Sequence, residues 1–242
     1  QGFLAGAYEN TNMHLLGARQ KQASRRAYYA CITQVDYQLG RIFGAMREND
    51  LFKDTWVIFT SDHGEMLGDH HMSQKNLFFE GSAHVPLLIM PPQRLGIPQS
   101  LGIPRNVRID CPVTLADIYP TILAMAGQDC PEGRSGRNLL AVSDLPEDRV
   151  FFGNSLNRNF CVMEGKKKLV YSATGGHALL FDLDRDPMER HDLSAAPEYR
   201  DVFQRLWKLL LEHTRRYTPE ALTPEGGFLT YDAPRFPGDM PG

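Results

Sequence analysis

The feature that most restricts how this chain can fold is a short apolar run that empties into a cluster of ionisable residues. Trp56-Val57-Ile58-Phe59 is a continuous stretch of β-formers bounded by polar residues. That is the pattern of a strand buried on both faces, as in a parallel sheet. It leads into Thr60-Ser61-Asp62-His63-Gly64-Glu65-Met66-Leu67-Gly68-Asp69-His70-His71, with Lys75 close behind. In open α/β sheets, sites form outside the carboxyl ends of the strands. A carboxylate placed there is costly unless it is paired or bound to a cation. Asp62 offers oxygen and His63 offers nitrogen, and Gly64 lets the backbone turn so that both can face one ion. Such a mixed pair suits a divalent cation without selecting one. A helix N-terminus is the competing reading, with Ser61 or Asp62 as cap and Glu65 closing a capping box. A self-contained zinc site of His63, His70 and His71 is disfavoured, because the His-Glu-x-x-His spacing is absent.

The flanking segments predict an α/β unit. From about Gln22 to Glu48, Cys31, Val35, Leu39, Ile42 and Met46 form one helical stripe. Val85 to Met90 reads as a second buried strand, ended by Pro91-Pro92. Residues 93–109 read as a surface loop. Leu115 to Ala126 reads as helical, broken at Pro120 and restarted with that proline at the first helical position, with Gly127 as the stop. This rhythm of helix, strand, loop and strand is that of an α/β fold.

After about Ser143 the texture changes. Val150–Phe152, Asn159–Met163, Lys168–Tyr171 and Leu179–Leu183 are short β-like runs, with Glu164-Gly165-Lys166 as a hairpin turn. Tyr199 to Tyr217 predicts an amphipathic helix with Val202, Leu206, Leu209, Leu210 and His213 on one side. The last 25 residues are rich in Pro and Gly and read as an extended tail. The expected division is therefore 1–143 for the α/β part and 144–242 for a small α+β subdomain with its tail.

Composition removes several function classes. Lys plus Arg is 26 and Asp plus Glu is 29, a net charge of −3, which gives no footprint for nucleic acid or an anionic membrane. No apolar run reaches the length of a membrane span. Cys31, Cys111, Cys130 and Cys161 form no Cys-x-x-Cys pair and read as small hydrophobes.

The run Ser61-Asp62-His63-Gly64-Glu65-Met66-Leu67-Gly68-Asp69-His70-His71, with Lys75 and then His84-Val85-Pro86-Leu87, resembles the sulfatase family of the alkaline phosphatase superfamily. Four more segments agree, in family order. They are Arg26–Ala30 with Asp36 and Gly40-Arg41, then Asp117–Leu123 with Ala126-Gly127, then Gly136–Leu139. The last is Leu180–Leu183 with Asp186-Pro187-Met188-Glu189 and Asp192-Leu193. The resemblance implies the C-terminal part of an alkaline-phosphatase-like α/β/α sandwich, followed by a small antiparallel sheet packed on a helix. It implies hydrolysis of sulfate esters, with sulfated small molecules or saccharides as substrates.

Carried over residue by residue, the resemblance makes Asp62 and His63 two ligands of a divalent cation, calcium first, with Mn2+, Mg2+ or Zn2+ as alternatives. It makes Lys75 the group that holds a sulfate oxygen, a role that suits a compact ammonium. It gives His70 a contact with substrate or leaving group, leaves His71 peripheral, and makes Glu65 and Asp69 structural. The family's nucleophile is a formylglycine in a Cys- or Ser-x-Pro/Ala-x-Arg motif. Neither Cys111-Pro112-Val113 nor Cys130-Pro131-Glu132-Gly133-Arg134 fits it, and no Asp-Asp pair is present. The resemblance therefore implies that nucleophile and remaining ligands lie in an N-terminal half that this chain lacks. That half is the expected partner, and these residues alone are expected neither to fold stably nor to turn over a sulfate ester. The Asp-His form of the motif also resembles phosphonate and phosphate ester hydrolases, which stand as the alternative together with an inactive fragment.

Overall fold

The computed structural model describes residues 16–75, 77–94, 106, 108–141, 145–146 and 148–232. Most of the predicted 93–109 loop, the tail beyond Asp232 and the proposed boundary at Ser143 lie outside these residues. The chain forms two compact units. Gln22–Asp62 and Val85–Glu147 make one, while His63–His84 clusters with Asp148 onward in the other.

The first unit takes helix α1, Ala18–Glu48, from Gln22 onward, and strand β1, Val57–Thr60. Strand β2, Leu87–Met90, pairs with β1 in antiparallel register, Val57 opposite Met90 and Thr60 opposite Leu87. The parallel, doubly buried strand expected from the apolar run is thus corrected. A parallel return needs a crossover, usually a helix, and among its described residues the connection from Ser61 to Pro86 holds one α-helix of only four residues, α2, Glu80–Ala83. Both strands keep apolar side chains in the open, Leu88 at 59% exposure. No residue of α1 is buried, and its predicted stripe shows Val35 and Ile42 more than half exposed.

Helix α3, Ile118–Met125, is preceded by a 3-10 turn, Leu115–Asp117. Pro120 does not break the helix. It lies in the first turn, where a missing N–H is harmless. The entry is set by a capping box between Thr114 and Asp117. The Asp117 carboxylate is fully buried and accepts the backbone N–H of Thr114 and of Arg137, each at 2.8 Å. Thr121 Oγ1 donates to the Asp117 carbonyl and accepts from Leu139 N–H. The Gly136–Leu139 loop is thereby held to the helix. At the other end Gly127 (φ +67°) closes a Schellman turn, with Gln128 N–H on Leu123 O at 2.8 Å and Gly127 N–H on Ala124 O at 3.1 Å.

The second unit is a four-stranded antiparallel meander. Its strands are β3 (Val150–Ser155), β4 (Asn159–Glu164), β5 (Lys167–Ser172) and β6 (His177–Asp182), in that order. The β4–β5 connection is the expected Gly165-Lys166 turn, with Glu164 opposite Lys167. Side chains alternate between the two faces of a strand, and here both faces are covered. Phe160, Val162, Leu169, Tyr171 and Leu180 pack on Leu206 and Leu210 of helix α4, Arg200–Tyr217. Cys161, Val170 and Phe181 pack on Met66, Met72, Leu77 and Phe79. Burial pushes the Cys161 thiol up to about 12, which suits an inert core residue.

The predicted extended tail is corrected as far as Asp232. Pro219–Ala221 forms a 3-10 turn, and Tyr231 N–H bonds Ala173 O at 2.9 Å. Phe228 is drawn into the core against Phe160, Tyr171 and Trp207, with ring centroids 4.5–5.5 Å apart. Burying an aromatic ring contributes about 1.5–3 kcal/mol, enough to order a segment that has no helical or strand period. No helix among the described residues is long and apolar enough to cross a membrane.

Candidate functional site: the loop after strand β1

The ionisable run that follows β1 forms no α-helix, only a 3-10 turn at Asp69–His71. Residues 61–68 are irregular, so the capping-box reading of Ser61, Asp62 and Glu65 fails. The Glu65 carboxylate instead accepts the backbone N–H of Leu67 and of Gln74, tying both ends of a compact loop. Inside the loop Met66 N–H meets Gln74 O at 3.0 Å, and Gly68 N–H meets Met72 O at 2.6 Å. Leu67, His70, His71 and Gln74 all have φ between +50° and +65°. Left-handed backbone costs a non-glycine residue about 1–2 kcal/mol. Four such residues persist together because Met66, Met72 and Leu77 are anchored in the core before, among and after them.

Asp62 closes the segment of the first unit and is exposed, two residues beyond β1. His63 opens the segment of the second. Its Nδ1 lies 2.8 Å from Gly64 O, and its Nε2 lies 2.7 Å from Lys75 Nζ. The carbonyl can only accept, so Nδ1 carries the ring proton and Nε2 presents its lone pair to the ammonium. This tautomer is the one a metal-binding imidazole needs. The structure thus brings His63 and Lys75 together across twelve positions of sequence.

Gly64 is required for a reason other than a sharp turn. Its N–H donates to Ser82 O at 2.8 Å. A Cβ at this position would stand 2.2 Å from Gly81 O. His63 is therefore seated by close contact between the loop and α2. His70 is held by stacking on Phe79, with centroids 4.2 Å apart and planes at 16°. His71 and Asp69 are exposed. Among the described residues no group of three or more His, Cys, Asp and Glu is arranged around a common point. Asp62 and His63 fit a hard or borderline divalent cation as one oxygen and one nitrogen donor, a partial set that needs further ligands.

Sequence reasoning missed a buried ion cluster beneath this loop. Lys168 on β5 is 2% exposed and Glu189 is 3% exposed. Lys168 Nζ donates to Phe78 O at 2.8 Å, to Glu189 Oε1 at 2.9 Å and to Glu80 Oε1. Glu189 Oε2 accepts Glu80 N–H at 2.6 Å, and His84 Nδ1 lies 2.8 Å from Glu80 Oε2. Burial works against the charged form of Glu80, but the His84 and Lys168 partners win and hold it near 2. Burial pushes Glu189 above the usual carboxylate range in spite of Lys168. The available signal was a lysine on the inward phase of an apolar strand.

A short apolar strand opening into a loop that joins a histidine to a lysine is compatible with the alkaline-phosphatase-like α/β class. Comparison with known proteins agrees and narrows the class. The family described as Sulfatase matches residues 5–128. The family described as N-sulphoglucosamine sulphohydrolase, C-terminal, matches residues 68–216. This chain belongs to the sulfatase family. An arylsulfatase of Clostridium perfringens is 31% identical over 82% of this chain and 41% of its own length. Human arylsulfatase K is 35% identical over 68% of this chain and 32% of its own length. A protein solved with its substrate D-glucosamine-2-N,6-O-disulfate shares the fold, with TM-score 0.65 and 22% identity over 78% of this chain and 40% of that one. The phosphonate monoester hydrolase of Agrobacterium radiobacter aligns with TM-score 0.60 and 32% identity over 86% of this chain and 45% of that one. The chain spans between 21% and 41% of the length of curated arylsulfatases that it matches.

Proposed function

We propose that this chain forms the C-terminal part of a sulfuric ester hydrolase acting on sulfated small molecules or saccharides. The observation that carries the reading is the 2.7 Å approach of Lys75 Nζ to His63 Nε2, within a chain of the sulfatase family. In this reading Asp62 Oδ and His63 Nε2 hold a divalent cation, with calcium as the first choice. A cation held there would supply positive charge against the ester oxygens. Nδ1–H of His63, kept on Gly64 O, leaves the Nε2 lone pair free of a proton. Lys75, whose ammonium reaches His63 Nε2 in the structure, would bind a non-bridging sulfate oxygen. There it opposes the charge that grows on the tetrahedral centre. His70, braced flat on Phe79, contacts the leaving-group side.

The nucleophile, a formylglycine in this reading, comes from outside these residues, as do the other ligands. The rest of the catalytic domain is then the physical partner. A groove of about 910 Å³ lined by Leu39, Phe43, Phe52, Val57, Phe59 and Leu88, and the unburied α1, support an extensive apolar contact there.

The test is parallel rate measurement on an aryl sulfate and an aryl phosphonate monoester with the full-length protein and with Asp62→Ala. Faster sulfate turnover in the wild type, lost in the variant, is the expected result. Preference for the phosphonate would move the chain to the second reading, which the 32% identity to a phosphonate monoester hydrolase favours. No turnover of either ester would overturn both.

A further inference from the structure

Segment 63–84 carries His63, His70 and Lys75, yet it has little regular structure of its own. Three bonds hold its far end. Lys168 Nζ binds Phe78 O and the Glu80 carboxylate, and Glu189 Oε2 binds Glu80 N–H. These contacts fix residues 78–80, and residues 78–82 in turn touch the site directly. Phe79 stacks under His70. Ser82 O takes Gly64 N–H, one residue from His63. Glu189 lies in the Asp186-Pro187-Met188-Glu189 turn, with φ +54°, a motif for which the proposed reaction has no use.

We propose that Lys168 and Glu189 are positioning residues that set His63 and His70 through Glu80, Phe79 and Ser82. The proposal rests on the sulfatase reading for what is positioned, but not for the positioning itself. Two observations carry it beyond ordinary core stability. A buried ion cluster is weak evidence for stability, because apolar residues of similar volume often serve as well or better. Moreover, every bond from Lys168 that reaches segment 63–84 ends on residues 78–80, and from there one stacking contact and one hydrogen bond reach the site. The cluster therefore defines where α2 sits on β5, and α2 defines where Gly64 can sit.

The experiment uses the full-length protein with Glu189→Gln and Lys168→Met, plus Leu210→Ala as a control in the opposite core. Amide hydrogen exchange is read at Gly64 and Gln74 beside β4 and β5, and steady-state kinetics are run on the same samples. The expected result is exchange at Gly64 faster by about tenfold in both cluster variants, with β4 and β5 close to wild type. In the kinetics kcat falls by about tenfold while KM stays within about twofold. Leu210→Ala lowers stability but leaves Gly64 protection in step with the sheet. Should Lys168→Met not fold, Glu189→Gln decides, since it retains an acceptor for Glu80 N–H. Unchanged exchange at Gly64, or an equal rise in the control, overturns the proposal. If the wild type hydrolyses no ester, the sulfatase reading fails while the exchange result still decides this one.

Discussion

Replacing Gly64 by alanine is the sharpest single perturbation of the site that leaves every ionisable group in place. The added Cβ would stand 2.2 Å from Gly81 O and 3.2 Å from Gly81 C. A carbon–oxygen contact tolerates about 3.3 Å, so loop and α2 must part by about 1 Å. The Gly64 N–H to Ser82 O bond, 2.8 Å in the native chain, then stretches past hydrogen-bonding range. Losing it costs about 0.5–1.5 kcal/mol, and overpacking at a backbone that cannot retreat adds about 1–3 kcal/mol. The sum is a destabilisation of roughly 1.5–4.5 kcal/mol. Because His63 precedes Gly64, the same displacement moves its Nε2, and a 1 Å misplacement costs on the order of 100-fold in rate. Urea denaturation of the full-length protein measures the first quantity, and kcat on an aryl sulfate the second. A Gly64→Ala protein within about 0.5 kcal/mol of wild type, with unchanged kcat, would show that the close approach does not seat His63.

Lys75→Ala should lower kcat on an aryl sulfate by about 10²–10³-fold with folding intact, the usual cost of removing one oxyanion partner; circular dichroism and initial rates check this. Asp117→Ala removes the acceptor shared by the part-buried N–H groups of Thr114 and Arg137 and should destabilise by about 1–3 kcal/mol, read from the denaturation midpoint. Glu80 is held near 2 in the folded chain against 4.5 ordinarily. Its folded value lies below its unfolded one, so its contribution is present above about pH 4.5 and lost as pH falls toward 2. The stability advantage of wild type over Glu80→Gln should therefore vanish across that window in acid titrations followed by tryptophan fluorescence.

Much of the fold was legible because its signals are local. The stripe from Cys31 to Met46 predicted α1, and the runs at 150–183 predicted four short strands of a small antiparallel sheet, since periods of 3.6 and 2 need only neighbours along the chain. Gly127 announced the end of α3 because its φ demands glycine. Strand direction was not legible. Trp56–Phe59 reads the same whether its neighbour runs parallel or antiparallel, and the antiparallel pairing depends on how residues 61–86 return. Phe228 carried no period either, and only the gap among Phe160, Tyr171 and Trp207 gave it a place.

The candidate site divides along the same line. The sequence by itself determined its chemistry: a carboxylate, an imidazole and an ammonium beyond an apolar strand, in the order of a sulfatase. Residue types and spacing carry that information without coordinates. Only the tertiary structure decided what each group touches. It put Lys75 Nζ on His63 Nε2, made Glu65 a tie across the loop and assigned Gly64 to a contact with Gly81. It also turned Lys168, an unremarked lysine in a strand, into the centre of a buried cluster. The physical reason is that proton position, burial and close packing depend on partners distant in sequence: Glu189 lies 109 residues from Glu80, whose N–H it accepts, and no local pattern encodes that meeting.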